Sequence, residues 1–146
     1  MKKVLIVYDS RTGRTKKMAE EIAEGVRSAG SEALVRSVSE IKDARELDGY
    51  QGYIFGCPTY FKDATNEMKV FLFRASQANL SGKVGGAFGS YTHIGSGAKM
   101  IYDTMEHVFR MNMAEIGPFN VKEQILDAGK GNQACMDYGK ALAEKT

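Results

Sequence analysis

The sequence predicts an α/β protein: a doubly wound parallel sheet of five strands with helices on both faces. Three observations lead there. Short apolar runs at residues 4–7, 52–56 and 83–90 each stop at a polar loop. Segments with apolar residues at helical spacing lie between them, and the two patterns alternate along all 146 residues. Strict alternation calls for parallel pairing, because tight hairpins cannot join parallel strands and the intervening helices must then cover the sheet.

Each element has its own local signal. Val4-Leu5-Ile6-Val7 is a β-branched, apolar run that reads as a buried strand, and Met18, Ile22 and Val26 then recur at helical spacing up to Gly30. Residues 33–38 mix apolar and polar positions as an edge strand does, and residues 41–47 read as a short polar helix or turn. Gly52-Tyr53-Ile54-Phe55-Gly56 is a second buried strand. Over residues 64–77, Met68, Phe71, Leu72 and Ala75 share one face of a covering helix. The small residues of the strand at 83–90 suit a central position pressed by helices from both sides. Ile101, Met105 and Val108 mark a helix over residues 98–110. Residues 114–121 read as the last strand, with Pro118 arguing for an edge or a bulge. A closing helix at 132–144 puts Ala134, Tyr138, Ala141 and Leu142 on one side.

Size and composition narrow the function classes. A chain of 146 residues fits one domain with a real core, and 43% hydrophobic with 26% charged residues is ordinary for a soluble globular protein. No apolar run approaches the roughly 18 residues of a membrane span. Met1-Lys2-Lys3 leads into a short apolar run with no cleavage site, so a cytoplasmic location is expected. Cys57 and Cys135 lie far apart with no Cys or His beside them, so neither a disulfide scaffold nor a metal site is expected. A net charge of +2 is too small to imply nucleic acid as a partner.

The chemistry concentrates at three loops that follow carboxyl ends of strands, where ligands of doubly wound sheets sit: residues 10–15, 57–63 and 90–97. The first is a cluster of hydroxyls, Ser10, Thr12 and Thr15, around Gly13, between a buried strand and a helix. A helix N-terminus gathers unpaired N–H groups and the positive end of the macrodipole, so such a loop can wrap a phosphate. A nucleotide triphosphatase is not supported, since Gly-x-x-x-x-Gly-Lys-Ser/Thr is missing. Gly95-Ser96-Gly97 begins like a dinucleotide fingerprint but follows the wrong strand and lacks the last glycine. Arg11, Arg14, Lys16 and Lys17 form either a solvated face or, for Arg14, a further phosphate contact.

Ser10-Arg11-Thr12-Gly13-Arg14-Thr15 resembles the phosphate loop of the flavodoxin family, Thr/Ser-x-Thr-Gly-x-Thr. Residues 17–25, 56–60, 82–91 and 117–119 are similar to the flavodoxin-type domain of the A-type, flavodiiron flavoproteins. Pro58-Thr59-x-Phe61, followed by Asn66-Glu67-Met68-Lys69, is similar to the NAD(P)H:quinone reductases related to tryptophan-repressor-binding protein. The resemblance implies a flavodoxin-like sheet of order 2-1-3-4-5 and noncovalent FMN. Its phosphate would lie on Ser10, Thr12, Gly13, Arg14 and Thr15. Its ring would lie among Pro58, Thr59, Tyr60, Phe61, Ser90, Tyr91, Thr92, His93 and Gly95. A flat, largely apolar ring with polar edges wants aromatic walls and backbone partners, which these loops carry. His93 is either a ring contact or a solvent-exposed loop residue, and Cys57 either small core filler or redox-sensitive.

What the resemblance implies for function is an electron carrier exchanging with redox partner proteins. It would have no catalytic side chain, no metal and no membrane or nucleic-acid partner, and would be a monomer or weak homo-oligomer. The rival is a small NAD(P)H:quinone or flavin oxidoreductase. A phosphoacceptor receiver domain needs an aspartate where this chain has Gly56-Cys57-Pro58. In many flavodoxins a glycine in the second loop lets a peptide flip toward the reduced flavin. Tyr60-Phe61-Lys62-Asp63 has none, and side chains disfavour the left-handed conformations such a flip uses. Flavodoxins that act as low-potential carriers are usually acidic, so a basic chain with Lys62 near the ring is expected to be easier to reduce.

Overall fold

The computed structural model describes residues 1–146. Six strands form one sheet: β1 (Lys3–Tyr8), β2 (Glu32–Ser37), β3 (Gly52–Gly56), β4 (Val84–Tyr91), β5 (Asn112–Met113) and β6 (Phe119–Lys122). All pair in parallel, in the order β2-β1-β3-β4-β5 with β6 also on β4, which is the expected 2-1-3-4-5 arrangement. Apolar runs form the centre because burial on both faces rewards them: β3 is buried throughout and β1 at its four middle residues. β2, on the edge, is only half-buried.

Five helices cover the sheet: α1 (Arg14–Ser28), α2 (Asn66–Ala75), α3 (Ser96–Asp103), α4 (Glu123–Asp127) and α5 (Asn132–Lys145). Alternation along the strands splits the core in two. Leu5, Val7 and Phe55 pack with Met68 and Phe71 of α2 and Ile101 of α3 on one face. Val4, Ile6 and Ile54 pack with Met18 and Ile22 of α1 and Tyr138 and Leu142 of α5 on the other. The small residues of β4 are needed as expected, since a Cβ on Gly86 would stand 2.2 Å from the Tyr138 hydroxyl.

Three sequence expectations need correction. The last strand is not continuous. β5 and β6 pair with opposite ends of β4, and Ala114 to Pro118 bulge between them. Gly117 takes φ +81°, and Pro118 has no N–H to give the ladder, so the bulge predicted from Pro118 displaces the strand itself. The helix after the third loop widens into a π-helical turn at Thr104–Val108, and the extra residue moves the apolar stripe on to Phe109. Val108 is therefore 64% exposed while Phe109 is buried. In α5 the buried stripe is Cys135, Tyr138, Gly139, Leu142 and Ala143, with Ala134 and Ala141 outside. Alanines carry too little apolar area to set the phase of a helix, and Tyr138 and Leu142 set it instead. α4 was not foreseen.

Candidate functional site

The three loops converge and are tied by a chain of hydrogen bonds. Asp9 N–H donates to Gly56 O (3.0 Å), Cys57 N–H to Phe88 O (3.3 Å) and Thr59 N–H to Ser90 O (3.0 Å). Gly97 N–H, at the start of α3, donates to Thr59 Oγ1 at 2.9 Å. The buried hydroxyls of Thr15 and Ser90 meet at 3.0 Å, linking the first loop to the end of β4.

The first loop is open to an anion. Gly13 caps α1 at φ +92°, a left-handed position with nothing within 4 Å of where a Cβ would stand. Its N–H donates to Ser10 Oγ at 3.1 Å. The N–H groups of Thr12, Arg14, Thr15 and Lys16 find no acceptor in the chain. Four free donors at a helix start, beside the hydroxyls of Ser10 and Thr12, suit a phosphate.

The two arginines that the sequence left open have partners other than solvent. Arg14 makes a bidentate pair with Asp127 of α4 (2.8 and 2.9 Å), donates to Thr12 Oγ1 (3.1 Å) and lies 3.5 Å from Glu123. Its guanidinium is held on α4, so its place in the loop is its backbone N–H. The hydrogen bond from Arg14 also keeps the Asp127 carboxyl below its usual pKa. Arg11 pairs with Glu67 of α2, and its guanidinium sits 5.6 Å from the centre of the Tyr60 ring.

The second loop holds the main surprise. Tyr60 N–H donates to Asp63 O (3.0 Å) and Asp63 N–H returns to Tyr60 O (2.9 Å), closing a two-residue turn. Its central residues, Phe61 (φ 51°) and Lys62 (φ 63°), are both left-handed although neither is glycine. Sequence reasoning argued against that conformation, and the reciprocal bonds impose it. The Asp63 carboxylate secures the turn from one side, accepting from Ala64 N–H (2.8 Å) and pairing with Lys69, a hydrogen bond that also holds its pKa low. Tyr60 is half-buried, and that burial raises its phenol pKa. The Phe61 ring is fully exposed.

Left-handed non-glycine residues cost about 1–2 kcal/mol each. The double variant Phe61→Asn/Lys62→Gly, which carries the preferred residues for such a turn, is expected to raise the unfolding free energy by about 1–2 kcal/mol. Urea unfolding of the FMN-free protein measures it, and an unchanged midpoint would contradict the strain.

In the third loop Tyr91 is half-buried while Thr92 and His93 are exposed. Gly95 lies against Asn120 of β6, whose amide would be 2.6 Å from a Cβ there. Asn120 Oδ1 and Asp9 Oδ2 are buried without a hydrogen-bond partner. Both border the converging loops, and both escaped sequence reasoning. Asp9 follows the end of β1, where a polar residue looks like ordinary loop chemistry, and Asn120 lies inside the last strand, where a single polar residue gives no signal of its own. Pro58 is buried at the base of the second loop. Cys57 is buried and its thiol is pushed up to about 12 by burial, so it stays protonated at neutral pH and is core filler. No helix is long and apolar enough to cross a membrane.

The decisive comparison is with family models: residues 6–140 match that of flavodoxin. The chain belongs to the flavodoxin family. Flavodoxins bind FMN noncovalently and transfer electrons through it. A flavodoxin of Clostridium saccharobutylicum is 36% identical over 96 residues, covering 66% of this chain and 60% of that protein. An NAD(P)H dehydrogenase (quinone) of Acidovorax ebreus is 30% identical over 150 aligned positions, covering 86% of this chain and 75% of its own length. Among solved structures, a flavodoxin from the domain Archaea superposes with a TM-score of 0.84 at 29% identity, covering 98% of this chain and 97% of that one. The flavodiiron protein of Giardia intestinalis shares the fold (TM-score 0.83, 21% identity) over 99% of this chain but only 36% of its own.

The residues present fit FMN. Free N–H donors and hydroxyls suit its phosphate, half-buried Tyr60 and Tyr91 offer aromatic surface, and the orphaned Asn120 and Asp9 oxygens are open to polar ligand edges.

Proposed function

We propose that residues 1–146 form a single flavodoxin domain that holds FMN noncovalently and serves as an electron carrier between redox proteins in the cytoplasm. The observation that carries this reading is the convergence of a donor-rich phosphate loop with two aromatic-bearing loops at the carboxyl ends of β1, β3 and β4. Thr12, Arg14, Thr15 and Lys16 bind the phosphate through their free backbone N–H groups, with left-handed Gly13 shaping the loop and the hydroxyls of Ser10, Thr12 and Thr15 beside them. Tyr60 and Tyr91 flank the ring. Pro58, Thr59, Phe61, Ser90, Thr92, His93 and Gly95 contribute backbone groups and loop shape. FMN supplies the redox chemistry, and the protein binds it, orients it and sets the charge around it.

The 30% identity to an NAD(P)H dehydrogenase (quinone) favours a second reading, direct turnover of a nicotinamide and a quinone. Titration of the FMN-free protein with FMN and with riboflavin tests cofactor binding. Riboflavin, which lacks the phosphate, is expected to bind about 100-fold more weakly or worse, the equivalent of two charge-assisted hydrogen bonds. A protein that takes up no FMN overturns the reading. Rapid mixing of the loaded protein with NADPH separates carrier from reductase, because fast direct reduction belongs to the reductase alone.

A further inference from the structure

We propose that the Phe61–Lys62 turn is the docking point for an acidic redox protein, with Phe61 entering an apolar pocket of the partner and Lys62 meeting its carboxylates. The proposal rests on the electron-carrier reading and adds the chemistry of the partner.

Burial within the fold does not account for the Phe61 side chain on this turn. Phe61 is fully exposed, so its ring contributes no burial. Both central residues sit at positive φ, where glycine or asparagine would be favoured. Strain retained at a site points toward function there. The strained turn is also rigid. It is closed by the reciprocal Tyr60–Asp63 bonds and buttressed by Lys69 on Asp63 and by Arg11 over Tyr60. A single aromatic ring is thus held out into solvent next to Tyr60, at low conformational cost on binding. Exposed aromatics presented this way are typical anchors of protein interfaces.

The surrounding surface continues the pattern. Val70 (59% exposed) and Phe73 (73% exposed) lie on the outer side of α2, and Val108 on the π turn beside it. Lys69 borders both the groove next to Phe61, about 560 Å³, and the apolar groove holding Phe73 and Val108, about 370 Å³. The opposite face differs: the exposed side of α1 carries Lys16, Lys17, Glu20, Glu24 and Arg27.

Charge selects the occupant. The acids bordering the turn are neutralised within the chain, Asp63 by Lys69 and Glu67 by Arg11. Lys62 has no ion-pair partner, so the uncompensated charge at the apex is positive. A partner with carboxylates around an apolar pocket matches it, whereas a basic one is repelled.

The test is stopped-flow reduction of the FMN-loaded protein by a reduced acidic ferredoxin. One electron leaves the ferredoxin cluster and one enters the flavoprotein. Basic cytochrome c, reduced by the loaded protein, is the counter-probe. The FMN affinity and midpoint potential of each variant are measured so that rates are compared at equal driving force. The second-order rate with ferredoxin is expected to fall as salt rises. Phe61→Ala should lower it about tenfold. Lys62→Glu should lower it further, invert its salt dependence and speed the reaction with cytochrome c. Wild-type rates in both variants, or a ferredoxin rate that rises with salt, overturn the docking inference alone. Loss of a sedimenting dimer in Phe61→Ala with no change in rate assigns the surface to a second copy of the chain and also overturns it. No reaction with ferredoxin in any form, together with fast reduction by NADPH, overturns the carrier reading and the inference with it.

Discussion

Replacing Gly139 by alanine should destabilise the protein by about 3 kcal/mol or more, lowering its melting temperature by roughly 10 °C. Intrinsic helix propensity argues the other way, since alanine in a helix interior is favoured over glycine by about 1 kcal/mol. The tertiary contact decides. A Cβ on Gly139 of α5 would stand 2.0 Å from the carbonyl oxygen of Ile22, and one on Gly25 of α1 would stand 1.9 Å from that of Met136. The two glycines let the helix backbones touch at two points, and neither obstacle is a side chain that can turn away. Relief requires α1 and α5 to separate, which opens the core around Met18, Ile22, Tyr138 and Leu142. Gly25→Ala should behave alike. Differential scanning calorimetry of both variants is the measurement, and a raised melting temperature in either would show that propensity outweighs the contact.

Thr15→Val is expected to weaken FMN binding by about 10- to 100-fold. It should also destabilise the FMN-free protein by about 1–2 kcal/mol. Valine keeps the shape of threonine, so packing against α1's neighbours is preserved. What goes is a hydroxyl in the proposed phosphate loop and, with it, the 3.0 Å partner of Ser90, which is left buried and unpaired. The two effects separate by ligand. Riboflavin binding should change far less than FMN binding if, as proposed, Thr15 belongs to the phosphate loop and not to the ring site. Fluorescence titration with both flavins reads this directly, and an equal loss for both would move Thr15 from phosphate binding to general loop support.

How far the sequence reached depended on the range of the forces involved. The phosphate loop was legible because its determinants are local: hydroxyls, one left-handed Gly13 and the start of α1, all within six residues. The three covering faces differed for the same kind of reason. Met68, Phe71, Leu72 and Ala75 all face inward as read, because large side chains set the phase of α2. The alanines of α5 set nothing, and a π turn, which depends on how the chain re-enters the sheet, rotated Val108 outward. The arginines of the loop were opaque in sequence. Arg14 and Asp127 are far apart along the chain, and only folding brings α4 to it.

The alternation of strands and helices, the cover on both faces and the three loops at the carboxyl ends were therefore set by residue pattern alone, while the spatial order of the strands followed from the family resemblance. Hydrophobic periodicity and helix-start chemistry act over a few residues and survive any arrangement of the rest. Tertiary structure alone decided the broken last strand, the partners of Arg11 and Arg14, the isolation of Asp9 and Asn120, and the left-handed turn at Phe61 and Lys62. Each of these is an outcome of competition between distant groups, in which hydrogen bonds and close packing contributed by the whole fold overrule a local preference.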